Sequence, residues 1–195
     1  RITGLDIDLL VERQKTRAQG GPFIPLNSVW QGSGPLQESL FKLNAKVDRL
    51  QDLQGLLAKL PLDAPVKNFD LTSGFGVRKD PFTGSYAQHL GIDLAGSYRA
   101  AILSPGEGNV IHAGPDGSYG RMVKIDHGMG LTTRYAHMRK VEVKKGDLVE
   151  RGAVIGVQGC TGRCQGDHVH YEILYNGKHV NPLKFLKAGN DVFKK

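Results

Sequence analysis

The chain is poor in three things, and each shortage narrows what it can be. No run of about 18 apolar residues occurs and no charged-then-apolar leader is present, so nothing in it reads as a membrane-crossing helix or an export signal. Aromatic residues make up only 7% of it, which leaves few platforms for stacking bases. The basic residues are scattered and match no nucleic-acid-binding signature, so nucleic acid is not an expected partner. Cysteine is limited to Cys160 and Cys164, too few for a four-ligand structural zinc site. Four positions apart across Gly162, the two are read as a local disulfide formed in an oxidising compartment, with free thiols as the alternative.

The 195 residues suffice for one buried domain plus an extension, and 39% hydrophobic with 23% charged residues is ordinary soluble usage. The net charge of +7 favours anionic partners without choosing among them, and is read as a soluble surface rich in lysine. The chain opens at Arg1 rather than Met, and so reads as a fragment or processed form from which an upstream signal or anchor has been removed. A membrane contact is expected only through such an anchor.

Residues 1–34, with Gly20-Gly21-Pro22 and Pro25, read as an extended arm with little structure of its own. From Pro35 the pattern changes. Leu36, Leu40, Leu43, Val47, Leu50, Leu57 and Leu60 recur at alternating four- and three-residue steps, interrupted at Gln54. Pro35 and Pro61 are placed as start and stop of one amphipathic helix, followed by a linker to residue 67. The stripe Leu36–Leu60 needs a partner, either the neighbouring domain, another helix or a second copy of itself. Residues 68–187 carry short β-prone runs at 101–103, 108–113, 121–126, 131–137, 153–157 and 168–175, joined by glycine-rich turns. That texture predicts a mainly β domain of antiparallel sheets, an open sandwich or barrel, preceded by an α-helical, coiled-coil-like extension and followed by a tail over 188–195.

Several residues in the β region can carry chemistry. His89 and Asp93 lie four apart around Leu90-Gly91-Ile92, a pair able to share one metal and, by itself, a weak signal. His168 and His170 lie two apart in a predicted strand, so both imidazoles face one side about 7 Å apart. His137 closes another predicted strand. Two imidazoles and a carboxylate make a three-ligand zinc set with a fourth position open, as in catalytic sites, and two further imidazoles remain for acid–base work.

At this point the sequence resembles the LytM or lysostaphin-type zinc endopeptidases of bacterial cell walls. The resemblance runs from about Phe69 to Leu186, through Ser73-Gly74-Phe75-Gly76-Val77-Arg78, Asp80-Pro81-Phe82-Thr83-Gly84, His89 to Asp93, Tyr135-Ala136-His137, Gly166-Asp167-His168-Val169-His170-Tyr171-Glu172 and Val180-Asn181-Pro182-Leu183. It implies one zinc ion held by His89, Asp93 and His170, with His137 and His168 as the catalytic pair. His112, His127 and His179 match no functional position and are read as structural or exposed. Two departures stand out: Asp167 replaces a usual proline, and cysteines occupy positions 160 and 164 where serines are common. The resemblance also implies peptidoglycan stem peptides as substrate, cut at D-alanyl-diaminopimelate cross-links. The setting it implies is periplasmic, with an inner-membrane anchor in the full-length protein; separately, the arm or helix upstream of the domain is expected to restrain the site by covering the cleft. The substrate-contacting residues are not legible. A non-catalytic regulator of another wall hydrolase is the alternative, and the intact ligand set argues against it.

Overall fold

Asp6 begins the described part of the chain, and its Oδ1 accepts the backbone N–H groups of Asp8 and Leu9 at 3.1 and 3.3 Å. That N-cap starts helix α1, Ile7–Lys15, inside the segment expected to be an extended arm. The expectation rested on glycines and prolines beyond residue 19, whereas Leu10 and Val11, four residues further in, are buried. The computed structural model describes residues 6–15 and 35–193; the Gly20-Gly21-Pro22 break lies outside them. Helix α2, Pro35–Lys59, follows the predicted bounds. Lys42 Nζ and Glu38 Oε1 pair at 2.6 Å one turn apart, and Arg49 Nη2 meets Asp8 Oδ1 at 2.7 Å, tying α2 to α1. Leu56 is buried, while Leu40, Leu43, Val47, Leu50 and Leu57 of the predicted stripe are exposed.

The chain divides into two compact units, Asp6–Leu57 and the part from Ala58 onward. In the second, the expected linker is part of the packed structure. Leu62 and Val66 are buried, the Pro65 carbonyl accepts the Leu103 N–H at 2.8 Å, and the Leu60 carbonyl accepts Arg151 Nη2 at 3.0 Å. Two prolines a few residues apart mimic a linker in sequence, yet Leu62 and Val66, each directly after one of them, have apolar surface to bury.

Thirteen strands follow, all paired antiparallel. They are β1 Asp70–Ser73, β2 Gly76–Lys79, β3 Tyr86–His89, β4 Ile92–Ala95, β5 Ala101–Leu103, β6 Gly108–Pro115, β7 Arg121–Gly128, β8 Leu131–Met138, β9 Lys140–Val141, β10 Leu148–Val149, β11 Val154–Val157, β12 Val169–Tyr175 and β13 Lys178–Val180. The main sheet runs β1-β4-β12-β8-β7-β6-β10, with β13 added to the far part of β12; β5-β11-β9 and β2-β3 form two smaller sheets. The fold is therefore mainly antiparallel β and open, as expected.

Alternation along the central strands separates the core from the cleft. Leu131, Thr133 and Tyr135 of β8 and Val169, Tyr171 and Ile173 of β12 are fully buried, with Tyr135 opposite Tyr171 and their rings 5.3 Å apart. His170 and Glu172 take the alternate positions on β12. The expected tail is instead the end of helix α3, Pro182–Phe193, whose Phe185, Ala188 and Gly189 are buried. A side chain at Gly189 would collide with the Leu62 carbonyl, so α3 presses on the segment that leads into the domain.

Candidate metal centre and active-site cleft

Strand register assembles the site. Asp93 on β4 lies directly opposite His170 on β12, and His89 ends β3, one short turn before β4 begins. A Cβ at Gly91 in that turn would strike the Tyr171 carbonyl and crowd the His170 ring and the Glu172 side chain. Glycine is therefore needed there for close approach to β12. The three side chains converge tightly. Asp93 Oδ1 is 2.8 Å from His170 Nδ1 and 3.1 Å from His89 Nε2, and the two ring nitrogens are 3.0 Å apart.

The outer nitrogens decide what the inner ones can offer. His89 Nδ1 donates to the Gly74 carbonyl at 2.6 Å, and His170 Nε2 donates to Glu172 Oε1 at 3.0 Å. Neutral rings held this way turn lone pairs inward, beside a carboxylate oxygen. With protons rather than a cation on the inner nitrogens, burial acts to raise the Asp93 carboxyl, but hydrogen bonds from His170 and His89 outweigh it and hold the group well below the usual carboxylate range. Three lone pairs facing one point is an arrangement that a cation satisfies, and two imidazoles with one carboxylate suit zinc. Without a cation the carboxylates charge the ring instead: burial lowers His170, while the Asp93 and Glu172 hydrogen bonds raise it to about 9.

His137 reaches the cleft through a backbone irregularity. Strict alternation would put it on the core side with Tyr135, but the β7–β8 register slips by one residue between Val123↔Tyr135 and Arg121↔Met138. At this bulge His137 takes φ = 60°, uncommon for a residue with a side chain, and its ring comes to 4.9 Å from that of His168 and 6.0 Å from that of His170. Its Nδ1 donates to the Thr161 carbonyl at 2.8 Å, which leaves Nε2 as an acceptor. Burial, opposed by that carbonyl, brings its pKa down to about 4. His168 is arranged the same way: Nδ1 donates to the Gly166 carbonyl at 2.9 Å, and Nε2 lies 3.8 Å from Asp93 Oδ1.

These residues line a cleft of about 550 Å³ whose other walls include Arg78, Lys79, Phe82, Tyr119 and Arg163. Two loops meet at its rim. Asp80 Oδ1 accepts the N–H groups of Phe82 and Thr83 at 2.9 and 2.8 Å and also takes Arg163 Nη2 at 2.9 Å, while the Arg163 guanidinium sits 4.6 Å from the centre of the Phe82 ring. Cys160 and Cys164 are bonded to each other, with Cα atoms 5.5 Å apart, and the loop they close carries Arg163.

The model of peptidase family M23 matches residues 87–182, which span all five clustered residues. A mutant of the catalytic domain of the prophage-encoded M23 protein EnpA from Enterococcus faecalis is 33% identical; the match covers 61% of this chain and 94% of that one, with a TM-score of 0.52. The chain belongs to peptidase family M23. Its M23 domain is also similar to peptidoglycan DD-endopeptidase ShyB of Vibrio cholerae, 38% identical over 133 residues, which are 68% of this chain and 31% of that protein. A zinc-containing peptidase of Vibrio cholerae is 40% identical over 60% of this chain and 37% of its own, with a TM-score of 0.57. The chain spans about a third of the length of the curated relatives it matches.

The M23 domain thus brings together all five residues singled out from sequence, His89, Asp93, His137, His168 and His170. Of the histidines set aside, His127 is buried in a structural network, whereas His179 is engaged near the site. Its Nε2 donates to Glu172 Oε2 at 3.0 Å. Glu172, Tyr119, Arg134 and Arg78 are the neighbours that sequence reading gave no role. Arg78 Nη2 stands 3.5 Å from Asp93 Oδ2. The signal for Glu172 was present, since His168, His170 and Glu172 follow one another at every second position of a strand.

Proposed function

We propose that the chain carries the catalytic part of a zinc-dependent endopeptidase that hydrolyses the peptide cross-links of bacterial peptidoglycan. The observation that carries this reading is the meeting of three inward lone pairs from His89, Asp93 and His170 beside two further imidazoles whose Nε2 atoms are acceptors. The name of the similar Vibrio protein supports peptidoglycan as the substrate class.

His89 Nε2, Asp93 Oδ1 and His170 Nδ1 would hold the ion, which when bound polarises a carbonyl and brings the pKa of water at its open position toward neutrality. His137 and His168 do the proton work. One neutral ring accepts the proton of the attacking water at Nε2 and passes it to the leaving amine, while the other, when protonated at Nε2, donates a hydrogen bond to the developing oxyanion. The Thr161 and Gly166 carbonyls hold each Nδ1–H, so neither ring can turn its acceptor away from the cleft without losing a hydrogen bond. No serine or cysteine nucleophile is required, and both thiols are tied up in the disulfide.

The D-alanyl-diaminopimelate bond is the cross-link we assign. An envelope location with an inner-membrane anchor belongs to the same proposal; among the described residues no helix is long and apolar enough to cross a membrane. Two roles are proposed for the N-terminal part: restraint of the active site, and self-association through the leucine stripe of α2. Deletion to Ala58, which spares Leu62 and Val66, should raise turnover if the first holds, and sedimentation of Leu43→Glu against wild type tests the second.

The test is digestion of purified peptidoglycan followed by mass analysis of the muropeptides, with zinc-loaded wild type beside His170→Ala. Zinc-dependent loss of cross-linked dimers in wild type alone is the expected result. Intact dimers in both, with zinc bound to wild type, would sink the endopeptidase reading and favour a non-catalytic regulator.

A further inference from the structure

Behind His170, on the side away from Asp93, sits a carboxylate that the proposed mechanism does not use. Glu172 has no solvent-accessible surface, and both its oxygens are fully engaged. Oε1 takes His170 Nε2 at 3.0 Å and the Tyr119 hydroxyl at 2.8 Å; Oε2 takes Arg134 Nη1 at 3.2 Å and His179 Nε2 at 3.0 Å. The donors come from four places in the sequence: β12 itself, the 3-10 turn Gly117–Tyr119, the facing strand β8 and the added strand β13. Arg134 is the direct cross-strand partner of Glu172, and its guanidinium also lies 5.8 Å from the centre of the Tyr119 ring.

A charge buried in the middle of a central strand has to be explained. Ion pairs in protein interiors are weak sources of stability, because desolvation offsets most of the attraction and a well-packed apolar residue often does as well. Here one of the four donors is the ring that turns its other nitrogen to Asp93. A carboxylate accepting from Nε2–H fixes the tautomer in which Nδ1 carries the lone pair, fixes the ring's rotation, and makes that lone pair more basic.

We infer that Glu172 is the positioning residue of the metal centre, holding His170 with Nδ1 toward Asp93 and His89, and that Tyr119, Arg134 and His179 act on the metal through Glu172. The inference rests on the metal-binding reading of the site but not on what the enzyme cuts. It gives Tyr119 a double place, since its ring lines the cleft while its hydroxyl closes the shell around the ligand. Movement of the 117–119 turn would therefore be felt at the metal.

The experiment measures Zn²⁺ affinity of the full chain by competition with a chromogenic chelator, for wild type, Glu172→Leu, Tyr119→Phe, His179→Gln and the Tyr119→Phe/Glu172→Leu double variant. Loss of such an orienting partner typically costs about 10- to 100-fold in metal affinity, and that is expected for Glu172→Leu. Tyr119→Phe and His179→Gln should each lose a few-fold, and Tyr119→Phe should add nothing once Glu172 is gone, because it acts through that carboxylate. A second readout is the His170 Nε2 proton in nitrogen-edited NMR of the zinc-loaded protein, slow to exchange in wild type and lost in Glu172→Leu. If Glu172→Leu fails to fold, the two single-donor variants and the NMR signal carry the test alone. Affinities within twofold of wild type in all variants, or a Tyr119→Phe loss that persists undiminished in the double variant, would overturn the inference while leaving the metal reading intact. Wild type that takes up no zinc would overturn both.

Discussion

His127 and His170 are both buried, both belong to the main sheet and both use their two ring nitrogens, yet their surroundings set them to opposite ends of the histidine range. His170 lies between two carboxylates, which outweigh burial and raise it to about 9. His127 meets only neutral oxygens, the Glu107 carbonyl at 2.6 Å and the Thr133 hydroxyl at 2.8 Å, which in turn bonds the Tyr135 hydroxyl at 2.7 Å. There burial dominates and brings the ring down to about 4. Depth alone thus says nothing about a histidine's role. Charge among its partners separates a site built for a cation from a hydrogen-bonded link in the core.

The largest expected contrast comes from removing each ring. His170→Ala should abolish peptidoglycan cleavage, by about 10³-fold or more in kcat/KM, since a metal's contribution is several kcal/mol. His127→Gln should leave turnover within a few-fold and lower unfolding free energy in urea by roughly 1–3 kcal/mol, the cost of disturbing a buried polar link. Comparable activity loss in the two would erase the distinction.

Next come the cleft histidines that are not in the ligand set. His137→Ala and His168→Ala should each reduce kcat by roughly 10²- to 10⁴-fold while chelator competition finds zinc affinity little changed. Loss of zinc in either would move that ring into the metal shell.

The contrast can be sharpened by pH. The folded pKa of His127 is about 4, below its unfolded value of 6.5, so its contribution is intact above pH 6.5. As pH falls from 6.5 toward 4 the unfolded chain takes up the proton first, and up to about 3 kcal/mol of stability is lost. Urea titrations at pH 7.5 and 5 should show a smaller decline for His127→Gln than for wild type; identical declines would count against a neutral buried ring.

The smallest effect is expected at the rim, where Arg163 is half exposed. Arg163→Ala removes its pair with Asp80, an ion pair at the surface, and should leave the midpoint of thermal unfolding almost unchanged. A larger loss in thermal unfolding would mean that the two rim loops hold each other more firmly than an exposed pair can.

The clustering of the candidate ligands was legible because its parts sit close in sequence, at His89 and Asp93 and in His168-Val169-His170, and because a strand's period puts alternate residues on one face. The central strands were legible for the same reason. The four strands between residues 70 and 95 were not, being four residues each with mostly exposed side chains in β1, β2 and β3. The surroundings of Glu172 depend on which strands lie beside β12, and no local pattern encodes that Arg134 faces it or that His179 folds back to it. His137 was recognised by motif alone. Its strand period points it at the core, and only the bulge in β8 turns it around. The buried segments before β1 and after residue 187 were missed together, for they bury one another across Gly189 and Leu62, some 130 residues apart in a chain that pairs them only when folded.

Gly91 sets the gauge of the pocket. Because the turn that carries His89 and Asp93 rests without a side chain against the backbone of β12, the distance from these two ligands to the third is fixed by how thin that turn is. A methyl group at this position would lift both ligands away from His170 as one body, widening the cage while every donor stayed present. On the metal-binding proposal, the residue with no functional group of its own would bear on the size of ion held, and Gly91→Ala should weaken zinc relative to larger ions in chelator competition.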